Sequence, residues 1–260
     1  MMKTKLAAAA LLLASTSLSF AADLATKAPL YAPAAVWSWT GFYLGAHAGA
    51  GWGTTESTLT GFAGLLPPGT SFAIAQNNRS GFLGGGQVGY NWQSGWAVFG
   101  VQGDIAGMDV KGTTPCLAVA FASCTAKSDW LATVTGRFGG VVADRTLIYV
   151  KGGAAWMHTD HTFSTPAGLF GPTAFSASSS SNAFGWLLGL GAEYAFDHNW
   201  SAFIEYDYID FDKKSVGIDF SSALRAPTGT AVANVDIKNK LSIAKVGLNY
   251  KFGGPVVARY

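Results

Sequence analysis

The chain is apolar on average, yet beyond its N-terminus it has no apolar run long enough to cross a bilayer as a helix. Mean hydropathy is +0.25. Only 12% of the 260 residues are charged, against about a quarter in ordinary globular proteins. The N-terminus reads as an export signal for the Sec pathway. Lys3 and Lys5 supply the positive region, Leu6 to Leu18 the apolar stretch, and Ser19-Phe20-Ala21 a small-x-small cleavage site. The cut is expected after Ala21 or one residue later, and the apolar stretch is too short to serve as a membrane anchor. An exported, apolar, charge-poor chain without helical spans points to a closed β-barrel, in which every backbone polar group pairs between strands.

Residues 22–38 are rich in Ala and Pro and read as an irregular lead-in, which leaves 39–260 for the barrel. Eight segments of alternating polarity follow: 41–52, 81–93, a third from about 96, 129–142, 147–157, 183–196, 201–211 and 241–252. In the first, Phe42, Leu44, Ala46, Ala48, Ala50 and Trp52 share one face, while Tyr43, Gly45, His47, Gly49 and Gly51 share the other. The links alternate in length. Residues 93–95, 143–145 and 197–199 are tight turns; links near 53–80, 107–128, 158–182 and 212–240 are long and rich in Gly, Ser, Thr, Ala and Pro. This pattern predicts an all-β fold: an eight-stranded antiparallel up-and-down transmembrane β-barrel with short periplasmic turns and long extracellular loops. The long links have room for further strand beyond the membrane.

Trp52, Trp92, Trp96, Trp130, Trp156, Trp186 and Trp200 fall near segment ends, where aromatic girdles sit. Cys116 and Cys124 are the only cysteines, and in an exported chain they suggest one disulfide stapling a loop, with two free thiols as the alternative.

The charges decide what the inner face does. Acids Asp104, Glu193, Glu205 and Asp207 and bases Arg137, Lys151, Lys245 and Lys251 all fall on polar faces, four against four. An eight-stranded bore is just wide enough for its own side chains, and buried charges need partners. These residues are therefore expected to form a lumen ion network. Gly45, Gly49, Gly85, Gly89, Gly139, Gly153, Gly189 and Gly191 leave room for the long side chains. Whether a water path survives between them is left open. Glu205 and Asp207 could instead be a catalytic pair, since residues two apart on a strand lie about 7 Å apart, but a filled lumen offers no substrate pocket.

Other chemical signals are thinner. His158-Thr159-Asp160-His161 has metal-ligand types in a loop, where such residues are more often solvated; no metal and no cofactor is expected. "GFLGGGQVG" lacks the following helix of a dinucleotide loop. His47 reads as a lumen hydrogen-bonder. His198 with Ser201 is the nearest nucleophile–base candidate and has no supporting motif, so no catalytic residue is expected. Net charge is +2 without basic clusters, which argues against nucleic acid as a partner.

"WTGFYLGAHAGAGWG", "GFLGGGQVGYNWQ", "GRFGG", "GAEYAF", "NWSAFIEYDYIDF" and "VGLNYKFGGPVVARY" resemble the small outer-membrane β-barrel proteins of alphaproteobacteria, the porin-family or surface-antigen proteins with an OmpA-like barrel. The resemblance runs from Trp39 to Tyr260. It implies an abundant, non-enzymatic integral protein of the Gram-negative outer membrane that stabilises the envelope and presents surface loops, and at most weak permeability to small solutes is expected. It also implies partners: outer-membrane lipids, lipopolysaccharide and, during biogenesis, the barrel assembly machinery. A last strand ending in an aromatic resembles the signal which that machinery reads, so Phe252 or Tyr260 would serve. No peptidoglycan-binding domain is expected from the short stretch after Phe252. The alternatives carried forward are a narrow diffusion channel for ions or small solutes, an outer-membrane lipid-modifying enzyme, and a lipocalin-like soluble barrel, which would place its apolar face inside.

The protein is expected to fractionate with outer membranes and to migrate differently on gels when left unboiled. Recovery as a detergent-free soluble monomer would contradict the barrel.

Overall fold

The computed structural model describes residues 37–62, 70–116, 122–167, 174–219, 221 and 226–253. The predicted signal at 1–21, most of the lead-in and Tyr260 lie outside them. The strands are β1 (Gly41–Phe62), β2 (Phe72–Ser94), β3 (Ala97–Pro115), β4 (Ser123–Ala143), β5 (Thr146–Thr165), β6 (Phe175–Ala195), β7 (Trp200–Phe211), β8 (Lys214–Asp219) and β9 (Val232–Lys251). Each pairs antiparallel with its neighbour, and β1 also pairs with β9, from Tyr43 opposite Lys251 to Phe62 opposite Ala233. That pairing removes the free edges that an open sheet would expose to lipid. Among the described residues no helix is long and apolar enough to cross a membrane.

Eight strands make the ring. The ninth, β8, follows β7 after Asp212-Lys213 and takes over β9's edge, from Lys214 opposite Ile237 to Asp219 opposite Val232. The four long links hold the further strand for which the sequence left room. Most of their described residues are strand, so β1 and β2 run 22 and 23 residues. Thr54, Thr55, Ser57 and Thr58, or Ser176 to Ser181, are polar on both faces. The period of two that marks a half-buried strand is absent there, while the backbone still pairs. Of the tight turns, Gly95-Trp96 joins β2 to β3 with Gly95 at φ +60°, a left-handed conformation that glycine adopts without strain.

The outer face is apolar. Leu44, Phe82, Ile105, Val134, Ile148, Leu190, Ile204 and Val246 are all exposed. Two aromatic belts bound them. At the short-turn end Phe42 meets Phe252 and Trp200 meets Tyr250. At the other, Trp52 meets Tyr206, Trp156 meets Phe184 and Trp186 meets Tyr208. Phe42 and Trp52 lie ten positions apart on β1. At ~3.3 Å per residue and a tilt of ~40°, the belts stand ~25 Å apart, the height of an outer-membrane apolar band.

Inside, three aromatic rings lie on glycines of the neighbouring strand: Tyr43 opposite Gly89, Tyr149 opposite Gly191, and Phe203 opposite Gly247. A Cβ on Gly191 would stand 2.5 Å from the Tyr149 ring. The inward glycines thus make room for rings as well as for charged side chains. Gly191→Ala is expected to lower stability by ~1–3 kcal/mol through overpacking. Gly103→Ala, where the new Cβ meets only Val88 at 3.9 Å, should stay within ~0.5 kcal/mol. Urea unfolding of the refolded protein in detergent reads both; equal losses would contradict the packing described.

Candidate functional site

The inward side chains stack in layers from the short-turn end upward. The lowest is Trp39, Val98, Leu147, Tyr149 and Ala195, with Trp37 packed against it. The ion network comes next. Above it lies an apolar layer that includes Leu83, Met108, Leu131, Met157, Ile209, Leu241 and Ile243. A polar chamber follows, and then an apolar cap at the hairpin ends that includes Cys116, Ala122, Phe163 and Ala233.

Alternation sends Asp104, Arg137, Lys151, Glu193, Glu205, Asp207 and Lys245 inward, and strand register brings them to one level. Lys151 Nζ donates to Glu205 Oε1 at 2.5 Å and lies 3.2 Å from Asp207 Oδ2. Lys245 Nζ sits between Asp104 Oδ2 and Glu205 Oε1, at 2.9 Å from each, and 3.3 Å from Asp207 Oδ2. The Tyr149 hydroxyl donates to Glu205 Oε2 at 2.8 Å. Arg137 forms the second centre. Its Nη1 meets Glu193 Oε2 at 3.1 Å, its Nε donates to Asn91 Oδ1 at 2.7 Å, and its guanidinium lies against the rings of Tyr43 and Tyr149 at 4.8 and 5.0 Å. Glu193 Oε1 also accepts from Ser201 Oγ and Asn249 Nδ2.

Lys251 is the exception to the expected network. It stands at the short-turn rim, where the chain passes before entering β1. Its ammonium reaches the Ser38 carbonyl oxygen and the face of Trp37, 4.2 Å from the ring centre. Trp37 and Ser38, assigned to the lead-in by sequence, therefore contact the barrel. Without Lys251, four carboxylates face three permanent cations. Asp207 Oδ1 has no hydrogen-bond partner, and His47 Nδ1 lies 3.7 Å from Asp104.

The network is dry. The side chains of Lys151, Glu205, Asp207, Asp104 and His47 are all at most 2% exposed. Beneath Arg137 a cavity of about 10 Å³ among Trp39, Tyr43, Glu193, Asn249 and Lys251 has room for about one water. Glu205 and Asp207, the pair weighed as catalytic, are both held by Lys151 and Lys245. His198 and Ser201 do not meet: the exposed ring stands by Asp197, whereas the buried Ser201 hydroxyl turns to Glu193. The backbone N–H of His198 holds Asp197 below the usual carboxylate range.

"GFLGGGQVG" lies within β2. The histidines of 158–161 part company, because His158 faces outward and His161 inward to Ser181, at 3.2 Å. Asp129, placed by a bulge in β4, joins His158 and Asp160 instead, with ligand atoms within 4.8 Å of one another. Lys127 Nζ pairs with Asp129 at 2.9 Å. Cys116 and Cys124 are bonded across the β3–β4 hairpin end.

Sequence reasoning missed the apolar layers. Leu83, Met108, Leu131, Met157 and Leu187 face inward, in segments where apolar outward residues mask them. Period two, applied to every residue of these segments, would have found them.

Glu205→Ala is expected to cost ~3–5 kcal/mol, because it leaves Lys151 and Lys245 short of their shared carboxylate in a dry site. Lys251→Ala, at the half-open rim, should cost ~1 kcal/mol or less. Comparable losses in urea unfolding would show that Glu205 is solvated.

Comparisons with known proteins agree with this architecture. The family model described as an outer membrane protein beta-barrel domain matches residues 7–252. The 31 kDa outer-membrane immunogenic protein of Brucella melitensis is 31% identical over 239 residues, covering 90% of this chain and 93% of that one. The 22 kDa outer membrane protein of Rhizobium leguminosarum bv. viciae is 29% identical over 192 residues, 72% of each. Among solved structures, OprG from Pseudomonas aeruginosa overlays with a TM-score of 0.48 at 13% identity, covering 84% of this chain and 99% of that one. With a family model spanning nearly its whole length and a relative matched end to end, the chain belongs to the outer membrane protein β-barrel family and is an integral protein of the outer membrane.

Proposed function

We propose that the protein is a closed, non-enzymatic barrel that reinforces the outer membrane and displays its long hairpins at the cell surface. The observation that carries this reading is the dry ion network: Lys151 and Glu205 have side chains 0% and 1% exposed, with apolar layers on both sides. Solute passage would require breaking ion pairs that no water compensates. The work is done by the wall. Its apolar band binds lipid, its belts fix the depth, and its polar upper hairpins reach the lipopolysaccharide sugars and the medium.

The immunogenic character stated in the name of the Brucella relative fits hairpins exposed at the surface, one of them clipped by Cys116–Cys124. Phe252, whose backbone N–H donates to the Phe42 carbonyl oxygen at 2.8 Å, closes the ring at its last strand. It is the described candidate for the aromatic end that the assembly machinery reads.

Cells lacking the protein should take up more of an apolar dye and leak periplasmic enzymes, with entry of small hydrophilic solutes unchanged. Slower entry of a small hydrophilic solute in those cells would favour the diffusion channel instead.

A further inference from the structure

Arg79 on β2 is the one permanent charge facing inward above the apolar layer among the described residues. It is 2% exposed, and no described carboxylate pairs with it. The Asp and Glu side chains at that height point outward or lie at the rim: Asp109 pairs with Lys111, Asp129 with Lys127, Asp210 with Lys238 and Asp236 with Lys213, Asp160 stands by His158, and Glu56 is exposed. The apolar layer separates Arg79 from the four carboxylates below.

The guanidinium is also short of acceptors. Nη1 donates to Ser128 Oγ at 2.7 Å, and that hydroxyl is hydrogen-bonded to Thr159 at 2.9 Å. Nη2 has only the Met157 sulfur at 4.0 Å, a weak acceptor, and the buried Nε has none. Arg137, by contrast, holds a carboxylate, an amide oxygen and two ring faces. The chamber around Arg79 is polar and free of acid: Thr55 bonded to Asn239, Asn77, Thr159, and His161 bonded to Ser181. Burial first, and then the charge of Arg79, push His161 down to about 4, so the ring is neutral at pH 7. A cation enclosed this way, with five donors in a rigid fork, lacks the partner that buried charges require.

We infer that Arg79 is the base of an oxyanion site inside the loop-side half of the barrel, taking a small free anion of the phosphate or sulfate class. The fork suits two oxygens of such an ion, and the Ser128 and Thr159 hydroxyls can turn to donate to a third. The continuous wall of paired strands keeps lipid headgroups out, which favours a small free anion as the occupant.

The test is equilibrium dialysis of the refolded protein in detergent against labelled inorganic phosphate at pH 7, at constant ionic strength in chloride. One saturable equivalent per chain is expected, with affinity about tenfold or more weaker in Arg79→Gln. Absence of saturable binding, or equal binding by a variant that keeps the heat-dependent gel shift, overturns the site. If Arg79→Gln does not fold, unfolding of the unaltered protein decides. Phosphate should raise its urea midpoint above that in chloride of equal ionic strength, and an unchanged midpoint overturns the proposal.

Discussion

Closure of β1 on β9 is the constraint on which everything else rests. A sheet in lipid has no water to satisfy an open edge, so the chain must return to its first strand. Once closed at eight strands, the ring has a bore of fixed width, and the outer and inner faces are assigned residue by residue through the alternation of side chains. The apolar, Gly-rich, charge-poor composition follows from that geometry. Lipid takes one face, and the other must be filled by whatever the same strands provide.

The filling is layered rather than uniformly polar. In the ion network two lysines share three carboxylates, and an arginine is held between two tyrosine rings and a glutamate. The apolar layers above and below keep water from these pairs. They raise both the strength of each contact and the cost of losing one. The same device isolates Arg79, so the sum of charges along the lumen does not describe the charge at each level.

Much of this was legible in the chain. Facing could be assigned for every segment between the belts, because Phe42, Leu44 and Trp52 alternate with Tyr43 and His47 under a strict period of two. The meeting of Glu205 with Lys245 was not legible: it depends on the register that pairs β7 with β9. Lys251 was misplaced for a related reason, since facing inward at the rim is different from being buried. The upper hairpins were hidden because a strand polar on both faces carries no hydropathy signal, and β8 because the two residues Asp212-Lys213 break the run between β7 and its continuation. Asp129 joined His158 only through a bulge, a feature that a regular alternation cannot anticipate.

A closed barrel requires the lumen to be sealed at the level of Lys151, Glu205 and Lys245. The direct measurement is single-channel conductance of the refolded protein in a planar lipid bilayer, with folding verified by heat-dependent gel mobility. A sealed lumen predicts a quiet membrane for the unaltered protein. Reproducible current steps whose size changes in Lys245→Ala would contradict it, because ions would then be passing the network that is described as dry.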